Sequence, residues 1–172
     1  MNPVLARWCA LSPEKAAAEI LSCCGSRAWA TQLAAMRPFS DQQSLFAAAD
    51  TCWQRLPEAD WLEAFRSHPR IGDQHAEKQT TAASAAWSRS EQSQMKEADA
   101  AILLRMREGH RQYEERFGRI FIVCASGKQP AEMLHILERR LSNDPAQELL
   151  ESAAQQQQIM QLRLRKWLAE GA

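Results

Sequence analysis

Net charge and long apolar runs are both missing from this 172-residue sequence. Lys and Arg together number 21, as do Asp and Glu, so the formal net charge is zero. A neutral chain gives no electrostatic reason to expect nucleic acid as a partner. No apolar run approaches the roughly 18 residues that a bilayer-spanning helix requires. We therefore expect neither a nucleic-acid-binding protein nor a membrane protein.

Signals for cysteine pairing are also missing. The five cysteines lie at positions 9, 23, 24, 52 and 124; two are adjacent and none forms a CxxC motif. An odd number at this spacing argues against a disulfide framework and fits a reducing compartment. Residues 1–5 lack the basic start and the apolar stretch of a secretory signal peptide. These features together predict a cytoplasmic location.

Glycine is scarce, with six in the chain, and β-branched residues are few. Ala, Gln, Glu, Leu and Arg are abundant instead, and these residues favour helix over strand. The length is typical of one domain and allows the chain to bury a core of its own. We predict an all-α protein that forms a single compact multi-helix domain over residues 1–172.

Capping signals set the boundaries of the predicted helices. Ser12 is a typical N-cap before Pro13 in a first turn, and Gly25 is a typical stop. Ser40 with Gln43 matches a capping box. An apolar stripe at helical spacing, from Met95 to Tyr113, predicts one long helix. The predicted helices span approximately 13–24, 26–37, 40–56, 57–67, 80–86, 89–116, 130–141 and 145–168.

Two segments break the helical pattern. Residues 67–79 contain Pro69, Gly72, Asp73 and two histidines without helical periodicity, which predicts a loop. Residues 120–125 form a short apolar run with β-branched side chains, followed by Gly127. Periodicity alone leaves this run as either a buried strand or an extended core segment.

His68 is the first candidate for chemistry. It directly precedes Pro69, and a residue before proline avoids the α region, so a helix should end here. The partial negative charge of a helix C-terminus favours imidazolium and raises the histidine pKa. A histidine titrating near neutral pH suits general acid or base catalysis. A purely structural histidine that caps the last carbonyls would have the same local sequence, so both interpretations stay open.

Glu91 is the second candidate. It lies four residues from both Trp87 and Met95, on the apolar stripe of the predicted long helix. A carboxylate that faces a core is costly unless it is paired or functional. Ser88 and Glu91 also match a capping box, with Ser88 as N-cap and Glu91 at N3. The capping box would explain both residues without any catalysis, and the sequence does not decide between the two.

Arg163 lies on an apolar stripe of the last predicted helix, between Ile159 and Trp167. A guanidinium there either extends to solvent or meets a buried acceptor. In an active site it would form bidentate hydrogen bonds with a carboxylate or with planar carbonyl groups. His68 and His75 with Asp73 match no zinc spacing, so we expect no metal. The chain also carries neither a nucleophile elbow nor a phosphate-binding loop.

Five blocks, in order, resemble the 2-oxo-4-hydroxy-4-carboxy-5-ureidoimidazoline (OHCU) decarboxylase family. Residues 67–72 (SHPRIG) resemble its HPxIG signature, and residues 88–92 (SRSEQ) resemble its SxxEQ motif. Residues 113–128 resemble a block that runs from a tyrosine through Phe-Gly to an apolar segment and a glycine. Residues 137–143 and 159–164 resemble its last two helices.

The resemblance implies an activity and a set of site residues. It implies cofactor-independent decarboxylation of OHCU to (S)-allantoin in urate breakdown, with neither cofactor nor metal. It also implies an all-α fold and a homodimer, because the family is commonly dimeric. The catalytic pair would be His68 and Glu91. The residues that contact the substrate would be Pro69, Ser88, Gln92, Ile122, Val123 and Arg163.

Two other hypotheses remain open on the sequence. The chain could be a helical binding or regulatory module whose histidine, glutamate and arginine are caps and surface charges. It could also be an enzyme of the same fold that acts on another ureido or carboxylated heterocycle. Five motif blocks in order favour the decarboxylase over the binding module, whereas the sequence does not separate the two enzymes.

Overall fold

The computed structural model describes residues 2–71, 82–93, 95 and 98–170, and within them the chain is all-helical with no strand. This confirms the predicted all-α class. None of the described helices is long and apolar enough to cross a membrane. The helices are α1 (Pro3–Cys9), α2 (Pro13–Cys24), α3 (Arg27–Ala35), α4 (Gln42–Gln54), α5 (Glu58–Arg66), α6 (Ala82–Glu91), α7 (Ala100–Phe117), α8 (Pro130–Arg140) and α9 (Pro145–Ala169).

Most predicted helix boundaries are confirmed because the capping chemistry is local. The Ser12 side chain accepts the N–H of Lys15 at the start of α2, and Gly25 ends that helix at φ 87°. Ser26 caps α3 in the same way, by accepting the N–H of Trp29. A positive φ favours glycine because it has no Cβ to clash with the following carbonyl.

Two helix starts differ from the prediction. The N-cap of α4 is Asp41 rather than Ser40, because the Asp41 carboxylate accepts the Ser44 N–H at 2.7 Å and the Ser44 hydroxyl completes the capping box. The short helix α1 was not predicted, although Asn2 caps it by accepting the N–H of Val4. Asn followed by Pro in the first turn was the signal that the sequence offered.

The predicted helix over residues 89–116 is wrong, because this region contains the end of one helix and the start of another. The earlier helix continues to Glu91 as α6, well past its predicted end at residue 86. The later helix begins at Ala100, where the Asp99 carboxylate accepts the N–H of Ile102 at 2.8 Å. The apolar spacing nevertheless predicted burial correctly. All members of the stripe lie in or against one apolar cluster: Met95, Ala98, Ile102, Met106 and Tyr113.

The described chain divides into two compact units. The first runs from the N-terminus to Ala64 and includes the chain from Gln157 onwards, and the second runs from Phe65 to Gln156. Three fully buried tryptophans, Trp8, Trp29 and Trp53, belong to the first unit. The predicted single domain over residues 1–172 therefore stays a prediction.

The second unit has an apolar core formed by α7, α8 and an extended segment. This segment, Phe121–Ala125, is buried along its whole length and forms no strand. Of the two structures left open by the sequence, the segment adopts the extended one. Helices α7 and α8 approach closely at Gly109, where a Cβ would lie 2.7 Å from Leu137 Cδ2. A side chain at position 109 would thus displace a core leucine.

Candidate active site

His68 lies two residues beyond the end of α5. Its backbone N–H donates to the carbonyl of Phe65 at 3.1 Å, after the helix has ended at Arg66. The imidazole and Pro69 are both half-buried. The predicted helix end before Pro69 is confirmed, so His68 lies where α5 gives way to irregular chain.

Helix α7 holds the residues that follow His68. Arg70 forms a bidentate ion pair with Glu114, in which Nε donates to Oε1 at 2.5 Å and Nη2 donates to Oε2 at 2.7 Å. His110 Nε2 lies 3.1 Å from the carbonyl oxygen of Ile71. Hydrogen bonds from Arg70 lower the pKa of the Glu114 carboxyl. The predicted loop beyond Ile71, with Gly72, Asp73 and His75, lies outside the described residues.

Ser88, Glu91 and Gln92 lie at the C-terminal end of α6. The Ser88 carbonyl accepts the Gln92 N–H at 3.0 Å, so Ser88 is inside the helix rather than at its start. The capping-box interpretation is therefore wrong. Ser88 is buried, whereas Glu91 and Gln92 are half-buried. A carboxylate at a helix C-terminus meets the partial negative charge of the last carbonyls, so Glu91 is not placed there to stabilise the helix.

Side chains rather than a sheet hold the extended segment. Arg140 Nη1 donates to the Ile122 carbonyl at 2.7 Å, and Gln155 accepts the Cys124 N–H at 2.9 Å. Lys128 Nζ donates to the Cys124 carbonyl at 2.8 Å. Ile122 and Val123 are buried, and within the described chain their own N–H groups meet no protein acceptor. Buried N–H groups require acceptors, so these two are suited to bind a ligand oxygen.

A buried ionic network anchors this segment, and the sequence analysis did not identify it. Arg140 and Glu148 are both fully buried, and Arg140 Nε lies 2.9 Å from Glu148 Oε1. Arg140 also donates to Ser152 at 2.9 Å, and Tyr113 donates to Glu148. The sequence offered one signal for this network: Arg140 lies on the apolar face of α8, seven residues after Met133 and three after Leu137.

Apolar packing brings the three candidate segments together. Ile71 follows His68, Met95 follows Glu91, and Val123 belongs to the extended segment; all three lie in the same buried cluster. The sequence-predicted residues Pro69, Ser88, Gln92 and Ile122 belong to these same three segments. The second unit therefore holds every predicted site residue except Arg163.

Arg163 belongs to the first unit and is fully buried, so it does not extend to solvent. Its Nη1 lies 3.4 Å from the carbonyl oxygen of Ser22. Burial raises the pKa of the neighbouring Cys23 thiol, although the positive charge of Arg163 acts in the opposite direction. A thiol that stays protonated is a poor nucleophile.

Comparisons with known proteins agree on one family. Residues 9–165 match the family model described as OHCU decarboxylase. The chain is 38% identical over 151 residues to uric acid degradation bifunctional protein TTL of Arabidopsis thaliana, and this match spans 87% of the chain and 46% of that relative. It is 35% identical over 130 residues to 2-oxo-4-hydroxy-4-carboxy-5-ureidoimidazoline decarboxylase of Amia calva, over 74% of the chain and 73% of the relative. The chain thus spans less than half the length of the Arabidopsis relative.

Two solved structures are also similar. An OHCU decarboxylase crystallised in the presence of (S)-allantoin superposes with a TM-score of 0.75 at 36% identity, covering 88% of this chain and 97% of that one. An (S)-allantoin synthase superposes with a TM-score of 0.69 at 16% identity, covering 95% of this chain and 53% of that one. At that low identity the second likeness concerns the fold alone.

The ionic network predicts an unusual tyrosine titration. Burial, and then the hydrogen bond to Glu148, raise the pKa of Tyr113 to about 12. An unfolded tyrosine ionises near pH 10, so the network stabilises the fold fully below about pH 10 and loses this contribution as the pH rises towards 12. Tyr113 is the single tyrosine of the chain. Absorbance at 295 nm should therefore show one tyrosinate transition near pH 12 in folded protein and near pH 10 in urea.

Two controls accompany this titration. Tyr113→Phe should abolish the tyrosinate transition, and far-ultraviolet circular dichroism followed in parallel separates ionisation from alkaline unfolding. A midpoint near pH 10 in protein that is still helical would contradict the burial of Tyr113 in the network.

Proposed function

Because the chain belongs to the OHCU decarboxylase family, we propose that it decarboxylates OHCU to (S)-allantoin in urate breakdown. One observation carries this proposal. The family match spans all three segments that bear the candidate site, and apolar packing joins those segments in one cluster. The chain also covers 73% of a relative that is named for this activity.

The reaction needs no cofactor as an electron sink. OHCU carries a carboxylate and a hydroxyl on C4, beside a C5=N imine. When the bond from C4 to the carboxylate breaks, CO2 leaves, the electron pair forms a C4=C5 bond, and the imine pair moves to nitrogen, which takes a proton from solvent. The C4 hydroxyl then loses its proton and becomes a carbonyl as a proton is added to C5. Since the substrate accepts the electrons itself, the protein supplies orientation, proton transfer and exclusion of water.

Each site residue has a role in this proposal. His68 accepts the proton of the C4 hydroxyl as the carbonyl forms. Glu91 orients the reacting groups and disfavours the neighbouring substrate carboxylate through like charge. The N–H groups of Ile122 and Val123 donate to substrate oxygens, which supplies acceptors for two buried donors. Pro69, Ser88 and Gln92 contact the substrate, and the role of Arg163 in holding its carbonyls stays a prediction.

We also propose a cytoplasmic homodimer. Each of the five cysteines is a free thiol, which agrees with a reducing compartment. The dimer follows from the resemblance, since OHCU decarboxylases commonly form dimers.

The activity is tested with freshly generated OHCU, by following chiral allantoin with circular dichroism. We expect the protein to accelerate the decay of OHCU over its spontaneous rate and to produce the (S) enantiomer. The rate should survive exhaustive chelation, because no metal is needed for the electron flow. Decay at the rate of buffer alone, or a racemic product, would refute the proposed activity.

His68→Asn tests the proton transfer. General acid or base groups typically contribute ~10²–10⁴-fold, so turnover should fall by about that factor. The helical circular dichroism should persist, because His68 lies outside α5 and is only half-buried. His135→Asn at an exposed position of α8 is the matched control and should leave turnover unchanged. Loss of helical signal in the His68 variant would instead indicate a structural histidine.

Glu91→Gln tests whether the negative charge is needed. Since Glu91 is the last residue of α6 and the amide has nearly the same size and shape, the melting temperature should stay within about 3 °C, a shift of under ~1 kcal/mol. Turnover should nevertheless fall by at least about ten-fold. Glu132→Gln, in the exposed first turn of α8, changes the same atoms and should stay fully active. A stable and fully active Glu91→Gln protein would exclude the role proposed for Glu91.

A further inference from the structure

Two polar side chains of α7, one turn apart, contact the chain directly after His68, and the proposed mechanism does not use them. His110 Nε2 lies 3.1 Å from the Ile71 carbonyl, and Glu114 pairs with Arg70. We propose that His110 and Glu114 are positioning residues that set the place of His68. The inference rests on the function proposed for His68.

The segment from His68 to Ile71 is held at both ends. At its start, the His68 N–H donates to the Phe65 carbonyl at 3.1 Å. At its end, Arg70 and Ile71 are bound to α7 by three hydrogen bonds. Pro69 lies between the two anchors, and its ring restricts φ. Because the segment is short and Pro69 restricts its backbone, a displacement of Arg70 or Ile71 should also move the His68 side chain.

His110 also contacts the extended segment that holds Ile122 and Val123. The centroid of its ring lies 5.9 Å from that of Phe121, the residue before Ile122. The ring of Tyr113, on the same helix, makes an edge-to-face contact with the Phe121 ring, with centroids 5.3 Å apart. Helix α7 thus supports both the histidine segment and the extended segment. A change at His110 should therefore affect the place of His68 and the place of the Ile122 and Val123 N–H groups together.

The Arg70–Glu114 pair contributes more to placement than to stability. The Arg70 side chain is 49% exposed and that of Glu114 is 29% exposed. Ion pairs of this kind contribute little to the free energy of unfolding. A displacement of a catalytic group by about 1 Å can by contrast lower turnover by roughly 10²-fold. Breaking the pair should therefore change catalysis far more than folding.

Reversal of the charges gives the test, with the ion pair between Arg105 of α7 and Glu138 of α8 as a matched control. Arg70→Glu and Glu114→Arg alone should each lower kcat by at least about ten-fold, and the double variant should regain most of it. The Arg105–Glu138 pair has its closest atoms 2.6 Å apart, is about as exposed, and joins α7 to α8 rather than to the His68 segment. Reversal there, singly or together, should leave kcat unchanged.

His110 is tested by one conservative and one apolar variant. The amide nitrogen of glutamine reaches about as far as Nε2, so His110→Gln can still donate to the Ile71 carbonyl. His110→Leu keeps the packing against Phe121 and removes the donor. We expect His110→Leu to lower kcat by about ten-fold or more, and His110→Gln to retain most of it. Equal loss in the two variants would show that the hydrogen bond does not position the segment.

A spectroscopic readout keeps this inference separate from the proposed activity. In a nuclear magnetic resonance spectrum of histidine-labelled protein, the four histidines give few imidazole resonances. The resonance that disappears in His68→Asn is that of His68. Glu114→Arg should shift the His68 resonance and its titration midpoint, and the charge-reversed double variant should restore both. The spectrum decides the positioning role even if OHCU is not turned over. An unchanged His68 resonance in Glu114→Arg, or equal shifts from the Arg105–Glu138 variants, would overturn it.

Discussion

The buried ion pair between Arg140 and Glu148 is the interaction on which the extended segment of the site depends. Both side chains are inaccessible to solvent, and burial of two charges is costly unless every polar atom finds a partner. Here the partners are present. Arg140 reaches the Ile122 carbonyl and Ser152, while Glu148 accepts from Tyr113 and Asn143. Removal of one partner from such a pair typically destabilises a protein by about 3–5 kcal/mol.

This network explains how the extended segment, Phe121–Ala125, can be buried although no sheet supplies its backbone hydrogen bonds in the described residues. An extended segment normally satisfies its backbone through neighbouring strands, which the described residues do not contain. Side chains from α8 and α9 take that place at Ile122 and Cys124. Among the described residues, this arrangement leaves the N–H groups of Ile122 and Val123 without a protein acceptor. Arg140 also lies over the Phe121 ring, with its guanidinium carbon 4.6 Å from the centroid.

Helix α7 connects the network to the other half of the site. Tyr113 contributes to the network, and His110 and Glu114 on the same helix hold the chain after His68. The candidate residue His68 lies in irregular chain, and these contacts hold that chain against a packed helix. Rigid support of this kind keeps groups within the small tolerances that proton transfer requires.

The sequence alone determined the all-α class, most helix ends and the position of His68 beyond a helix, because caps, prolines and apolar spacing act within a few residues. It left open whether Ser88 and Glu91 form a capping box at a helix start, since these residues match that pattern in isolation. Only the tertiary structure decided that they do not, because α6 continues through Glu91 and α7 begins at Ala100. The pairing of Arg140 with Glu148, and the contacts of α7 with the chain after His68, were likewise decided there. Contacts between residues distant in sequence depend on how helices pack, and no local pattern records that packing.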